Sequence, residues 1–223
     1  MSGTDMPSSP VPPRCRLVLI TPEGFRAADV DRLGNALAGG DVASVILPQY
    51  GLDETAYQSF AERLVPVVQE ADAAAILAGD TRVASRVAAD GIHFEGGKAD
   101  LADLVARFGA RMAVGAGGAK TRDDALELGE ERPDYIFFGR FGYDNKPEPH
   151  PRNLSLGQWW AEMIELPCIV LGGSDVESVA EVAHTGAEFV ALSAAVFGEG
   201  VDGGEAVRRA NALLDRHAPM LEA

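Results

Sequence analysis

Eight short apolar runs, each followed by a stretch of helical length, constrain this chain more than any other feature. They are Arg16–Ile20 (RLVLI), Val42–Leu47 (VASVIL), Ala73–Leu77 (AAAIL), Gly91–Phe94 (GIHF), Arg111–Val114 (RMAV), Asp134–Phe138 (DYIFF), Cys168–Leu171 (CIVL) and Glu188–Leu192 (EFVAL). Continuous apolar runs of this length suit strands buried on both faces, as in parallel sheets. The intervening stretches carry helix signals. Asp53–Gln69 places Leu, Phe and Val on one face. In Thr121–Glu130, Thr121 is an N-cap with an acidic Asp124 three residues on. Ser174 reads as the N-cap of a helix over Asp175–Ala183. Strand–helix alternation means a parallel α/β protein, and eight units favour a closed (β/α)8 TIM barrel over a doubly wound open sheet.

Composition narrows the partners. Across 223 residues, 19 Lys and Arg face 34 Asp and Glu, a net charge of −15. That balance argues against nucleic acid or an anionic membrane surface. A small anionic ligand needs local positive potential from helix N-termini and a few cations. The two cysteines, Cys15 and Cys168, open strand runs and read as small buried residues. The first 14 residues, Pro- and Ser-rich without an apolar stretch, read as a disordered tail. Residues 15–223 form one barrel domain in this reading, in a cytoplasmic protein whose oligomeric state, a homodimer included, stays open.

Ligands of such sheets meet the chain at the carboxyl ends of the strands. Gly172 and Gly173 follow the seventh run, and Ser193 and Ala194 the eighth. Glycine there lets backbone N–H groups close on phosphate oxygens, so these four are the candidate phosphate-binding residues. Asp80 and Glu95, at the tips of runs three and four, are candidate Mg²⁺ ligands, Asp80 having a cap for the next helix as its plainer role. His93 within run four reads as a hydrogen-bonded core residue or a catalyst. The segment Gly139–Leu154 is the longest connection, with prolines at 147, 149 and 151, and reads as a lid. Arg140 and Lys146 on it are the candidate catalytic cations, placed to neutralise a leaving phosphate. Trp159 and Trp160 should pack against the barrel.

Four pieces together resemble one family: ADGIHF (Ala89–Phe94), PDYIFFGRF (Pro133–Phe141), PCIVLGGSD (Pro167–Asp175) and GAEFVALSAAVF (Gly186–Phe197). Their order and spacing are similar to the thiamine phosphate synthase family, which includes the thiazole tautomerases. The resemblance spans Arg16 to Phe197. It implies a barrel that joins an aminopyrimidine pyrophosphate to a thiazole phosphate through a pyrimidine carbocation, releasing pyrophosphate in thiamine biosynthesis. Weakly bound Mg²⁺ is the implied cofactor and a phosphorylated heterocycle the implied ligand.

The match is uneven. Gly172, Gly173 and Ser193 fall on the family's thiazole phosphate residues, and Lys146 on its loop lysine. Asp80 keeps the metal carboxylate after strand three, and Glu95 or Asp100 falls near the second. The strand-two Gln-x-Arg-x-Lys that holds the pyrimidine pyrophosphate is replaced by Ile46, Pro48 and Tyr50, and the strand-five Ser by Gly117. The implied pyrophosphate half is therefore degenerate, with Lys120, Arg122 and Arg140 as possible substitutes. A tautomerase would need a His in the strand-five loop, and Gly115–Lys120 has none. The alternatives to the synthase are thus a tautomerase-like enzyme and a non-catalytic binder of thiazole or thiamine phosphate.

Overall fold

The structure is a computed structural model and describes residues 13–220. Its elements in order are β1 (Arg16–Ile20), α1 (Val30–Leu37), β2 (Ser44–Pro48), α2 (Glu54–Glu70), β3 (Ala74–Ala78), α3 (Thr81–Arg86), β4 (Gly91–Phe94) and α4 (Lys98–Phe108). Then come β5 (Ala113–Ala116), α5 (Arg122–Gly129), β6 (Tyr135–Phe138), α6 (Pro151–Met163), β7 (Cys168–Leu171), α7 (Ser178–Ala183), β8 (Phe189–Leu192), α8 (Ala194–Phe197) and α9 (Gly203–His217). Each strand pairs in parallel with the next, and β8 returns to β1, with Leu19 opposite Leu192. That last pairing closes the ring and excludes the open sheet.

The closed sheet is buried on both faces. Val18, Ile20, Ile46, Ile76, Phe137, Ile169 and Leu171 fill the barrel interior. Their strand neighbours, such as Leu17, Leu19, Val45 and Val170, pack outward against the helices. Burying one such side chain fully stabilises by roughly 1.5–3 kcal/mol, so either face alone would be a poor surface. The interior also needs gaps. The Tyr135 ring fills the space beside Gly115, where an added Cβ would stand 1.9 Å from a ring carbon.

Local chemistry sets the boundaries. Asp53 caps α2 by accepting from the Ala56 amide at 2.8 Å. Thr121 and Asp124 form a reciprocal capping box at the start of α5, at 3.1 and 3.0 Å, so the shorter Asp serves where Glu is usual. Trp160 is buried, with its ring against Phe138 and its indole N–H donating to the Leu166 carbonyl at 2.7 Å. Cys15 and Cys168 are buried free thiols, and burial raises both above the ordinary range, Cys15 to about 12.

Several boundaries differ from the sequence reading. The Arg111 and Met112 amides both donate to the Phe108 carbonyl, closing α4, so β5 starts at Ala113. It ends on Gly115 and Ala116, poor strand formers held in place by pairing with β4. Ser174 does not cap α7, because the helix starts only at Ser178 with Glu177 at the cap position; the Ser174 amide instead donates to the Lys146 carbonyl at 2.7 Å. The long connection is shorter than expected: Pro151 is the first residue of α6, and His150 caps it through Nδ1 on the Arg152 amide at 3.2 Å. Arg14 is not part of a tail. It is buried, donates to Asp215 at 2.7 Å and Asn211 at 3.0 Å, and ties the chain before β1 to α9. Residues 1–12 of the expected tail lie outside the described residues.

Gly115→Ala should destabilise the barrel by about 1–3 kcal/mol, the usual range for overpacking a filled core, read as a lower urea midpoint at unchanged slope. An unchanged midpoint would show that Tyr135 has room to move.

Candidate active site at the mouth of the barrel

The carboxyl ends of β4 to β7 open into a cavity of about 1340 Å³. Glu95, Gly117, Lys120, Arg140, Lys146 and Arg152 are among its walls. Arg140 comes one residue after Gly139 at the end of β6, and its guanidinium stacks 4.1 Å from the Tyr143 ring centroid. Arg152 is placed by the His150 cap in the first turn of α6. Among the described residues, Lys120, Arg140, Lys146 and Arg152 form no salt bridge. Glu95, Asp124, Glu127 and Glu148 also face the cavity, with Asp124 committed to capping α5. The cavity is therefore close to charge balance within a strongly acidic chain, and its unpaired cations are available to a ligand.

Beneath the cavity lies an aromatic cluster. His93 stacks on Tyr135 at 5.8 Å, meets Phe137 edge-on at 5.5 Å and lies 5.2 Å from Phe141. His93 Nδ1 is 3.0 Å from the Tyr135 hydroxyl. Its Nε2 is buried with no hydrogen-bond partner and faces Gly117 and Glu95, 3.8 Å from a Glu95 oxygen.

The turns after β7 and β8 lie side by side, bringing Gly172, Gly173, Ser193 and Ala194 to adjacent strand tips. The amides of Gly172, Gly173 and Ala194 are engaged within the chain. Gly172 N–H donates to the Ala191 carbonyl at 2.9 Å, and Gly173 N–H to the Ser178 hydroxyl at 3.0 Å. Ala194 N–H donates to Asp144 Oδ2 at 2.5 Å. Ser193 is buried, and its hydroxyl makes no cap bond to α8. Asp144 is itself buried, and sequence reading passes over it because YDNK in a long loop looks like an ordinary turn. Arg152 is also missed, although Pro151 after a polar residue signals a helix start and so puts its neighbour in the first turn.

Asp80 plays its cap role. It accepts from the Arg82 amide at 2.8 Å and pairs with the Arg82 guanidinium at 2.7 Å. That Arg82 contact holds its carboxyl well down, at about 2. Among the described residues no group of three His, Cys, Asp or Glu side chains could hold a metal ion. Asp80 is thus engaged by Arg82, while Glu95 faces the cavity.

The strand-two positions carry no charged side chain. Ile46 packs in the barrel interior, and Pro48 is the last residue of β2. Tyr50 takes a left-handed backbone, φ +45°, and its hydroxyl donates to the Thr21 carbonyl at 3.1 Å. Burial, with Asp144, Glu23 and Glu95 nearby, raises the Tyr50 pKa, so the phenol stays neutral. Arg122 does not reach the cavity walls and stacks instead over Trp159, 4.9 Å from the ring centroid.

Comparison with known proteins places this architecture. The sequence profile of the family described as thiamine monophosphate synthase matches residues 17–196. This chain belongs to that family. A thiamine-phosphate synthase of Rhodospirillum centenum is 37% identical over 187 residues, 82% of this chain and 89% of the relative. One from Hyphomonas neptunium is 31% identical over 210 residues, 91% and 95% of the two chains. In structure, a thiamine phosphate pyrophosphorylase from Pyrococcus furiosus matches 92% of this chain and 97% of its own at a TM-score of 0.77 and 20% identity, a likeness of fold. No helix among the described residues is long and apolar enough to cross a membrane.

The Asp80 contact has a pH signature. Its folded-state pKa lies below the ordinary 3.8, so folding favours the ionised form. The contribution is complete above that range and is lost as pH falls toward about 2. In urea unfolding, the stability of wild type minus Asp80→Asn should be positive near neutrality and shrink below about pH 4. A difference that stays constant with pH would contradict the Arg82 pairing.

Proposed function

We propose that this chain is a thiamine-phosphate-synthase-type transferase, acting in the cytoplasm on phosphorylated heterocycles and joining an aminopyrimidine pyrophosphate to a thiazole phosphate with release of pyrophosphate. The observation that carries the reading is the cavity at the strand tips, lined by Arg140 and Lys146 without salt-bridge partners. Family membership and two relatives of near full length named thiamine-phosphate synthase support it.

In this reading the protein stabilises charge as the pyrophosphate leaves. Arg140, braced on Tyr143, offers a planar fork suited to two phosphate oxygens. Lys146 brings a mobile ammonium from the same loop. Lys120 and Arg152 supply positive charge that the strand-two positions lack. Phe137 and Phe141, 5.3 Å apart beneath the cavity, limit water near a cationic intermediate. Phosphate on the thiazole is assigned to the turns of Gly172, Gly173, Ser193 and Ala194. Magnesium, where used, would arrive with substrate phosphates that complete its shell, and no step is assigned to it.

One observation favours a second reading, a tautomerase-like proton transfer. The unpartnered His93 Nε2 lies against Gly117, in the very loop that lacks a His of its own. Conversion of a thiazole phosphate tautomer in the absence of pyrimidine substrate would decide for it.

With both substrates and Mg²⁺, the protein should form thiamine phosphate and pyrophosphate. Arg140→Ala and Lys146→Ala should each lower kcat/KM by roughly 10²- to 10³-fold, the usual effect of removing one preorganised charge contact. Binding of thiazole phosphate without any product would instead mark a non-catalytic binder. Titration calorimetry of Mg²⁺ into ligand-free protein should show no tight binding, and a tight site there would overturn the account of Asp80.

A further inference from the structure

The loop between β6 and α6, residues 139–150, lies across the β7 and β8 turns and fills them with its own oxygens. The Asp144 carboxylate takes the Ala194 amide at 2.5 Å. The Lys146 carbonyl accepts from the Ser174 amide at 2.7 Å, and the Pro147 carbonyl from the Asp175 amide at 3.4 Å. The Pro147 carbonyl oxygen also lies 1.9 Å from where a Gly173 Cβ would stand, so only glycine lets the loop seat. The seated loop divides the mouth. Asn145 and Lys146 face the large cavity, whereas Pro147 lines a separate hollow of about 490 Å³ with Ser174, Asp175, Ala195 and Asp202.

The Asp144 carboxylate is held by one backbone amide, that of Ala194. Asp144 is only 7% exposed and has no salt-bridge partner among the described residues. A buried carboxylate without a cation is strongly disfavoured, and one amide offsets only part of that. Glu23 and Glu95 add charge of the same sign around Tyr50, which also feels Asp144. Of the three contacts that seat the loop, the Asp144–Ala194 one is therefore the contact that a better anion can replace.

We propose that Asp144 is an autoinhibitory latch: its carboxylate holds the β6–α6 loop over the β7 and β8 turns, and a phosphate-bearing ligand must displace it. The proposal rests on the reading that the mouth takes phosphorylated ligands. A phosphate monoester is the chemistry that fits, since its oxygens accept from the same backbone donors with more charge than a carboxylate. Displacing the latch frees the loop to carry Arg140 and Lys146 over the bound ligand, which couples occupancy of the turns to placement of the cations.

The test uses the full chain with Asp144→Asn, which keeps the side-chain shape, and Asp144→Ala. Hydrogen exchange of residues 139–150 is measured without ligand, and affinity for inorganic phosphate at fixed ionic strength by calorimetry. Expected are at least tenfold faster loop exchange, unchanged exchange in the barrel strands, and about tenfold tighter phosphate binding, equivalent to about 1.4 kcal/mol. Unchanged loop exchange would overturn the latch. Faster exchange with phosphate affinity unchanged, weakened or undetectable would overturn the competition with ligand. Should Asp144→Ala slow or lose folding, the near-isosteric Asp144→Asn decides. Product formation by the wild type judges the transferase reading separately, so either idea can fail alone.

Discussion

Everything at the mouth of this protein depends on the pairing of β8 with β1. Ring closure turns eight separate strand tips into one rim, so residues as distant in sequence as Thr21, Glu95 and Ser193 come to one place. The strands of the ring are apolar on both faces, one set of side chains filling the barrel and the other meeting the helices. The constraint is steric as well as hydrophobic. Gly115 leaves room for Tyr135, which in turn supports His93 under the cavity. A core residue and a site residue are therefore parts of one packing arrangement.

Charge is the second organising constraint. For a chain of net charge −15 to take the phosphorylated ligand proposed for it, some cations must stay free and some carboxylates be occupied. Asp80 is neutralised by Arg82, and Asp124 is used on a helix cap. Asp144 is the exception, buried against a single amide at the position where a ligand oxygen is expected. That contrast separates carboxylates serving the fold from one poised at the site.

The strand runs were legible because burial on both faces leaves continuous apolar sequence, and the residues at strand tips followed from topology. Three strands matched their sequence bounds fully, while β5 slid toward its C-terminus because α4 consumed the Arg111 and Met112 amides. What sequence could not show was the fate of individual hydrogen-bond donors. Nothing local to Ser174 or Ala194 reveals that a loop some 30 to 50 residues earlier will supply the partners of their amides. The uncharged Ile46, Pro48 and Tyr50 were visible in the sequence, but Arg152 appeared as a cavity residue only once α6 was placed beside the cavity. Long-range loop packing, set by tertiary contacts rather than by local propensity, hid these features.

The central claim is that phosphorylated ligand binds over the strand tips within reach of the β6–α6 loop cations. A crystal structure of the protein with thiamine phosphate and pyrophosphate tests it most directly. The account predicts pyrophosphate oxygens within about 3 Å of the Arg140 guanidinium and the Lys146 ammonium, hydrogen-bonding distance for charged donors. It also predicts that Asp144 has left the Ala194 amide to the thiamine phosphate oxygens. Ligand bound away from this rim, or in it with Arg140 and Lys146 both turned to solvent, would contradict the account.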